Sequence, residues 1–288
     1  MRILIGYNGN EHSHAAIDDL RHAGLPDRTE ALVLTIADMC FPPENICDAA
    51  TLASLAADKL RKAFPTWTVK SETGRGNPAR EILVRSESFR PDLIVIGQHA
   101  NQLDERNLLL GQVTRTLLTD AACTVRLARR RGAMETRPER IIVGFDGSPG
   151  SELAVRSLAA RNWPMGTQVC LLAVADASVL ASIGRFIPQM NNAVLEAKLA
   201  WQWAETLAAA SVAKLAKAGL IASVDVRMGH PRDTIIEMAE ASNADCIFVG
   251  SHCSGNSVER FLLGNVTVAV TARAHCSVEI ARKMVSAA

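Results

Sequence analysis

Apolar residues along the chain follow two alternating patterns. Short runs such as Leu93–Ile96 are apolar at every position, which is typical of parallel strands covered by helices on both faces. Between such runs, segments such as Pro231–Glu240 place Ile235, Ile236 and Ala239 on one helical face. This alternation predicts an α/β fold. The predicted strands are Arg2–Tyr7, Ala31–Ile36, Thr68–Glu72, Leu93–Ile96, Thr124–Leu127, Arg140–Phe145, Gln168–Val174, Ser223–Arg227, Cys246–Val249 and Ser277–Ile280.

The sequence also repeats itself. Ile5–Gly9 returns as Val143–Gly147, an offset of 138 residues, and Ile94–His99 returns as Ile247–His252, an offset of 153 residues. A repeat this long indicates a duplicated domain, because solenoid units repeat every 20 to 50 residues or so. We therefore expect two tandem, doubly wound, Rossmann-like open parallel sheets of five strands each. The predicted first half is residues 1–130, the linker is residues 131–139 and the second half is residues 140–288.

Two segments interrupt the repeat. Arg129–Pro138 is polar and lacks periodicity, so we interpret it as a solvated connector, the alternative being an arginine-rich site for an acidic partner. The increase of the offset from 138 to 153 places a net insertion of 15 residues between Asp176 and Gly229. We expect a long helix preceded by a loop there, or alternatively a lid or partner-docking surface. Its large apolar residues are Phe186, Met190, Trp201 and Trp203.

Composition narrows the class of protein. The 288 residues are 48% hydrophobic with a net charge of +1, which is typical of a soluble globular protein and gives no global attraction to nucleic acid or membranes. No apolar run approaches the roughly 18 residues of a membrane span, and the first strand begins at Arg2, so a cytoplasmic location is expected.

The seven cysteines lack paired metal-ligand spacing. Four precede or lie within apolar strands and are expected to be buried, reduced thiols rather than disulfides or metal ligands, namely Cys123, Cys170, Cys246 and Cys276. The other three, Cys40, Cys47 and Cys253, fall in loop-like segments and receive no role.

Candidate ligand-binding residues follow the first and fourth strands of the second half. Asp146 can accept hydrogen bonds from a ribose or an adenine amino group, although it equally suits a simple turn. Gly147 permits a tight turn, and Ser148 is positioned to cap the next helix. After strand four, a glycine-bearing loop returns to a helix near Gly264, where backbone N–H groups and the helix dipole suit a phosphate.

No catalytic residue is assigned. The chain has no P-loop, no Gly-x-Gly-x-x-Gly and no phosphate-binding lysine in such a motif. His99 and His252 share a loop position, but no serine, cysteine or carboxylate stands at a diagnostic spacing beside them, so we interpret them as loop residues. His230, after Gly229, is expected only to precede a helix.

Several of these motifs together resemble the universal stress protein family. They are the strand ending in Val143–Ser148, the loop with Gly-x-His after strand four, Phe261–Thr267 and the terminal strand Cys276–Ile280. The likeness covers both halves, as in a tandem member of that family. It implies an adenine nucleotide alpha hydrolase-like fold. It also implies that the halves pair through their last strands, Thr124–Ala128 and Ser277–Ala281, as a pseudo-dimer.

The resemblance also implies a nucleotide site in the second half. Family members that bind ATP carry Gly-x2-Gly-x9-Gly-(Ser/Thr) after strand four, an aspartate after strand one and a strand-two residue whose backbone meets adenine. The matching or neighbouring positions are Asp146, Gly147, Val174, Gly250, His252, Cys253, Gly255, Gly264, Asn265 and Thr267. Cys253 stands where the second glycine is expected, and Asn265 replaces the phosphate-binding Ser/Thr.

The first half departs further from the family pattern. Asn8 replaces the aspartate, Ala100 the second glycine and Gln112 the hydroxyl residue, whereas Gly97, Gly111 and Thr114 are retained. We therefore predict a degenerate site in this half, with a structural or pairing role.

The expected function is that of a stress-response protein of this family. It would bind ATP or a related adenine nucleotide, with Mg²⁺ accompanying the nucleotide, in the second half and act through protein partners. The alternative is a structural or interaction protein without a nucleotide, in which both loops are degenerate. An enzyme is disfavoured, with weak nucleotide hydrolysis as its only foreseeable activity. A homodimer of the whole chain is a further expectation, with neither nucleic acid nor membrane as a partner.

Overall fold

A computed structural model describes residues 1–37, 45–98, 110–129, 137–175, 193–251 and 264–282, apart from the side chains of residues 45–47 and 193–200. The described residues form ten strands and eight α-helices. In the first half these are β1 Arg2–Gly6, α1 Glu11–Asp19, β2 Glu30–Ala37, α2 Asn45–Ala63, β3 Thr68–Arg75, α3 Pro78–Phe89, β4 Leu93–Gly97, α4 Gln112–Asp120 and β5 Thr124–Ala128. A short 3₁₀ turn, Leu20–His22, follows α1.

The second half repeats this order of elements. They are β6 Arg140–Gly144, α5 Pro149–Ala159, β7 Gln168–Ala175, α6 Ala193–Lys217, β8 Ile221–Met228, α7 Pro231–Ala241, β9 Cys246–Gly250, α8 Asn265–Arg273 and β10 Ser277–Ala281. Every strand predicted from the sequence is present. The largest shift is in β3, which extends to Arg75 rather than ending at Glu72.

The ten strands form one sheet. Its order is β3-β2-β1-β4-β5-β10-β9-β6-β7-β8, and neighbours are parallel except for the antiparallel pair β5 and β10. The two five-stranded parallel sheets are thus joined edge to edge, in the register that sets Arg126 opposite Glu279. Pairing satisfies the backbone groups of both edges, which is the expected fate of an exposed edge strand. The strand order reverses between β1 and β4 and again between β6 and β9.

Helices cover both faces of the sheet, so that alternate strand residues enter different cores. One core lies beneath α3, α4, α7 and α8 and is continuous across the junction through Leu127 and Val278. On the opposite face each half has its own core, around Leu60 beneath α1 and α2 and around Leu215 beneath α5 and α6. The junction is therefore part of the hydrophobic interior on one face.

Helix starts follow the capping signals in the sequence. Ser148 caps α5 as predicted, with Ser151 N donating to Ser148 Oγ at 3.2 Å. Asn10 and Asn77 cap α1 and α3 in the same way. His230 is the residue before α7 and makes no side-chain capping bond.

The ends of the predicted linker differ from the expectation. Arg129 is buried rather than solvated, and its guanidinium donates to the carbonyl oxygen of Cys276 at 2.9 Å. At the other end, Glu139 is also buried, with its Oε1 2.6 Å from His22 Nδ1. Because both side chains are charged, the sequence predicted that they would be exposed to solvent. In the structure each is buried and bonded to a residue that is distant in sequence. Residues 130–136 lie outside the described part.

The insertion in the second half contains the expected long helix. Helix α6 has 25 residues, compared with 19 in its counterpart α2. Trp201 and Trp203 lie on its surface, 39% and 42% exposed. The predicted loop before it, together with Phe186 and Met190, lies outside the described residues.

Candidate functional site

The carboxyl ends of β6, β7 and β9 meet where the strand order of the second half reverses. Strand β6 lies between β9 and β7, with Val143 paired to Phe248 and Gly144 paired to Leu172. The chain then leaves the sheet through Phe145 and the exposed Asp146. Such reversal points leave a crevice beyond the strand ends, which is where ligands bind in open α/β sheets.

Asp146 takes part in a turn but is not needed there as a charge. Its Oδ1 accepts a hydrogen bond from Ser148 N at 3.0 Å. At the equivalent position of the first half, Asn8 Oδ1 accepts the same bond from Asn10 N at 3.2 Å. Because a neutral amide oxygen suffices for this turn, the turn alone does not explain why the second half carries a carboxylate.

Gly147 is required by the fold itself. Its backbone has φ +72°, a left-handed conformation that favours glycine, and an added Cβ would overlap the side chain of Leu207 from α6. Leu207 thus covers the turn beside Asp146, although it is itself 36% exposed. Leu207 was not predicted from the sequence, because only the packing of α6 reveals what it contacts.

Val174 presents its backbone to the crevice. Phe145 N donates to Leu172 O, which shows that Leu172 faces β6, and Gly229 N donates to Ala175 O on the opposite side of β7. The backbone N–H and C=O groups of successive residues point to alternate sides of a strand, so those of Val174 point to the same side as those of Leu172. Its N–H and C=O therefore point to the β6 side at a level above Gly144, the last β6 residue in the pairing.

Gly250 has a packing role that the sequence did not reveal. A Cβ there would overlap the backbone of Gly150, and Ser151 N would lie only 2.6 Å away. The first turn of α5 therefore crosses directly over the end of β9. Gly97 stands in the same relation to His12 at the start of α1. The presence of glycine at both positions is explained by this close approach, without any ligand.

Gly264 is the residue that caps the N-terminus of α8, and neither its backbone conformation nor the described residues around it require glycine there. Its φ of −57° and ψ of 139° are accessible to any residue. Among the described residues, the nearest atom to an added Cβ is Thr267 Oγ1, at 3.9 Å. Thr267 is buried and Asn265 is exposed in the first turn of this helix. Gly111 begins α4 in the first half with the same open surroundings among the described residues.

The structure thus brings seven of the ten predicted binding residues to one edge of the second half. They are Asp146, Gly147, Val174, Gly250, Gly264, Asn265 and Thr267. The remaining three, His252, Cys253 and Gly255, lie outside the described residues, as do His99 and Ala100 of the first half.

The four cysteines expected within or next to strands are free thiols, and three of them are buried. Burial, the largest influence, raises the pKa of Cys123 and of Cys276 to about 12 and that of the half-buried Cys170 to about 11. Burial also raises the pKa of Cys246 well above its ordinary value, although the nearby Arg126 opposes the shift. These thiols stay protonated near neutral pH and are poor nucleophiles.

Buried charges at the junction were not predicted. Arg126 and Glu279 occupy equivalent positions of the repeat, and neither is accessible to solvent. The sequence did carry a signal, since the two apolar terminal strands have an oppositely charged residue at the same position.

Two further observations concern metals and membranes. Within the described ranges, no three His, Cys, Asp or Glu side chains group in a way that could hold a metal ion. In the same ranges, no helix combines the length and hydrophobicity needed to cross a bilayer.

Comparison with known proteins identifies the family to which the chain belongs. The model of the universal stress protein family matches residues 1–129 and again residues 138–282. The chain belongs to the universal stress protein family. It is a tandem member, since the two matches fall on the two repeated units of the fold. The resemblance predicted from the sequence motifs is confirmed.

Relatives of this universal stress protein share both its halves. Universal stress proteins of Mycobacterium tuberculosis and Mycobacterium bovis are 27% identical over 244 residues, which is 83% of this chain and 76% of theirs. A universal stress protein structure from Archaeoglobus fulgidus has a TM-score of 0.66 at 18% identity, covering 98% of this chain and 96% of that one. One from Pseudomonas aeruginosa has a TM-score of 0.61 at 14% identity, covering 98% and 92%. These structures share the fold.

Proposed function

We propose that this universal stress protein binds an adenine nucleotide, ATP or a relative of it, beyond the carboxyl end of β6 in its second half. The observation that carries the proposal is the surroundings of Gly264. This glycine begins α8 where neither its backbone conformation nor any described neighbour within 3.9 Å requires it.

A phosphate suits this position for two reasons. The first amides of α8 have no intrahelical acceptor, and Gly264 supplies no side chain to cap them, so a helix start of this kind suits an anion. The absence of a Cβ also permits close approach of a phosphate group to the backbone. Thr267, buried in the first turn with its Oγ1 directed toward Gly264, adds a hydroxyl donor nearby.

The remaining parts of a nucleotide have matching groups along the same edge. Asp146 is exposed and offers carboxylate oxygens to ribose hydroxyls or the adenine amino group. The N–H and C=O of Val174 point to the same crevice and can read the edge of an adenine ring. Mg²⁺ would accompany the phosphates, and no residue of the chain is assigned to hydrolysis.

The first half is the built-in partner in this proposal. It retains Gly111 and Thr114 but has the neutral Asn8 in place of Asp146. It therefore lacks the charged acceptor for a ribose. Residues 1–130 and 140–288 are the proposed domains, and the cytoplasm is the proposed location.

We further propose that the nucleotide acts by changing how the protein contacts its partners. The insertion between Asp176 and Gly229 borders the site through Leu207, which contacts the turn at Gly147. On the same helix, Trp201 and Trp203 are partly exposed, and exposed aromatic residues are common at protein interfaces. A ligand bound next to this turn would therefore alter the surface of α6 that carries the two tryptophans.

An interaction protein without a nucleotide is the second candidate. It is favoured by Gly250, because close packing against α5 accounts for this glycine without a ligand. Under this alternative, Gly250 and the loop after it serve only to support the packing of the helix.

The two candidates are distinguished by nucleotide binding to matched variants. Equilibrium dialysis with labelled ATP, ADP and AMP would be measured for wild type, Asp146→Asn and Gly264→Val. Asp146→Asn keeps the turn, as Asn8 does in the first half, and removes only the charge. We expect saturable binding below about 1 mM in wild type and a loss of about tenfold or more in each variant.

The first half supplies the controls. Asn8→Ala and Gly111→Val change the equivalent positions and should leave the affinity unchanged. Absence of saturable binding by wild type, or an equal loss in these controls, would favour the interaction protein. Phosphate release above background that disappears in Asp146→Asn would instead indicate hydrolysis.

A further inference from the structure

Four charged side chains are buried together where the two halves meet, and we call them the junction quartet. They are Asp19 and Arg126 from the first half and Glu279 and Arg161 from the second half. The side chain of each is at most 3% exposed. The two cationic and two anionic groups balance, so that the quartet itself carries no net charge.

The charges alternate in sign across the junction. Arg126 Nε donates to Asp19 Oδ2 at 2.6 Å within the first half, and Arg126 Nη1 donates to Glu279 Oε2 across the junction at 3.1 Å. Arg161 donates to both oxygens of Glu279 within the second half. Burial disfavours the charged form of Arg126, but Asp19 and Glu279 outweigh this effect and raise its pKa. The order is therefore Asp19, Arg126, Glu279 and Arg161.

Two contacts between a backbone amide of one half and a hydroxyl of the other are the same from either side of the junction. Arg129 N donates to Ser277 Oγ at 3.1 Å, and Arg282 N donates to Thr124 Oγ1 at 3.2 Å. Arg129 and Arg282 are equivalent residues of the repeat, as are Thr124 and Ser277. A pair of two first halves or of two second halves would keep these contacts.

The quartet distinguishes such pairs because its members are not equivalent. Arg126 and Glu279 share one position of the repeat and face each other in the antiparallel register. A pair of first halves would place Arg126 opposite the Arg126 of a second copy, with an aspartate at each outer end. A pair of second halves would place two glutamates in the centre. Only the mixed pair has attraction at the central contact.

We propose that the junction quartet is a recognition code that makes the two halves partners of each other and prevents either half from pairing with a second copy of itself. Buried ion pairs contribute little net stability compared with apolar residues of similar size, because desolvation offsets their attraction. Their effect here is on the choice of partner, since like charges in the same buried position are strongly unfavourable.

The test uses the complete chain with a protease site inserted within residues 131–136 and cut after folding. The nicked protein is unfolded in urea and refolded by dilution, and native mass spectrometry separates the three possible pairs by mass. For wild type we expect mixed pairs to exceed random association by about tenfold or more. A random mixture from wild type would overturn the proposal by itself.

The charge-free first half, Asp19→Asn with Arg126→Met, is the decisive variant. It removes both partners of an ion pair and so leaves no unpaired charge within that half. First-half pairs should then rise by about tenfold relative to wild type, because no charge opposes them. A variant without charges on the second half, Arg161→Met with Glu279→Gln, should likewise raise the fraction of second-half pairs, because no glutamates then oppose each other at the centre.

The matched control removes the symmetric contacts instead. Arg129→Met with Arg282→Met should weaken all three pairs and leave their ratio unchanged. The proposal is overturned if the charge-free first half keeps the wild-type ratio, or if the control shifts the ratio as much as the quartet variants do.

Discussion

At the scale of single residues, glycine is found at positions 250 and 264 for different physical reasons, although Gly250 and Gly264 belong to one family motif. A Cβ on Gly250 meets the backbone of Gly150, which cannot move without displacing α5. A Cβ on Gly264 has its nearest described neighbour at 3.9 Å. The family resemblance implied a role at the nucleotide for both glycines, whereas the structure explains Gly250 alone by its packing against α5. This difference depends on a close approach in space that the spacing of residues along the chain does not reveal.

This difference predicts opposite outcomes for the same substitution. Gly250→Ala should lower the free energy of unfolding by about 3 kcal/mol or more, because the added methyl overlaps backbone rather than a flexible side chain. Gly264→Ala should change it by about 1 kcal/mol or less, as expected for a helix cap. Urea unfolding followed by circular dichroism measures both. Equal stability of the two variants would contradict the packing role of Gly250.

The buried thiols predict a second residue-scale property. In the folded protein Cys123 and Cys276 have a pKa of about 12, so at pH 8.5 they are almost entirely protonated and enclosed. We expect iodoacetamide to label both about a thousandfold more slowly in native protein than in urea, which is roughly the change in thiolate fraction that this pKa shift implies. Peptide mass spectrometry gives the rates. Rapid native labelling of either thiol would show that its strand end opens.

The same shifts predict a loss of stability in alkaline solution. A pKa raised by folding means that the unfolded chain releases these protons first, so stability is complete below about pH 8.5 and falls as the pH rises toward 12. The free energy of unfolding should fall by up to about 1.4 kcal/mol per pH unit for each such thiol. Urea unfolding at pH 8 and pH 10 measures this slope, which Cys276→Ala should reduce.

At the scale of elements, the sequence predicted strands well because each apolar run appears twice in the same order. Strand β8 is nevertheless longer than predicted, Ile221–Met228 rather than Ser223–Arg227. Ile221 and Met228 are exposed on an edge strand, so a pattern of buried residues does not reveal them. The connection between halves was predicted less well. The burial of Arg129 depends on the carbonyl groups of Thr271 in α8 and of Cys276 before β10, which only the pairing of β5 with β10 brings into reach.

Arg129 and Arg282 form a reciprocal pair of helix caps. Arg282 donates to the carbonyl oxygens of Leu118 and Ala121 at the end of α4, in the other half. Arg129 donates to the carbonyl oxygen of Thr271 in the last turn of α8. Cations favour helix C-termini because they satisfy the last carbonyl groups and complement the helix dipole. Each half therefore stabilises the last helix of its partner.

Reciprocal capping predicts a crossed pattern of hydrogen exchange. Arg282→Met should speed amide exchange in the last turn of α4 by about tenfold, which corresponds to about 1.4 kcal/mol, and leave α8 unchanged. Arg129→Met is the mirror control and should affect α8 alone. Faster exchange in the substituted half rather than in its partner would contradict the crossed arrangement.

At the scale of the whole molecule, the junction joins the two sheets and one hydrophobic core, so we expect the halves to unfold as one cooperative unit. The sheet runs through the β5 and β10 pair, and one core continues across it beneath four helices. Opening the junction would expose apolar residues of both halves together with the junction quartet. Exposure of so much buried surface links the stability of one half to that of the other. The family resemblance predicted the pairing through the last strands, but not that one core would be shared.

Coupling can be measured with tryptophan because the four tryptophans are unevenly distributed. Trp67 is the one in the first half, and Trp163 packs against Gly24 of that half, so a background with Trp67→Phe and Trp163→Phe reports on the second half through Trp201 and Trp203. Adding Leu93→Ala in the first-half core should cost about 3 kcal/mol there. If the halves unfold together, the urea midpoint measured by fluorescence of the second half falls by as much as the midpoint measured by circular dichroism. An unchanged fluorescence midpoint would show that the halves unfold independently, and the shared core would then not couple them.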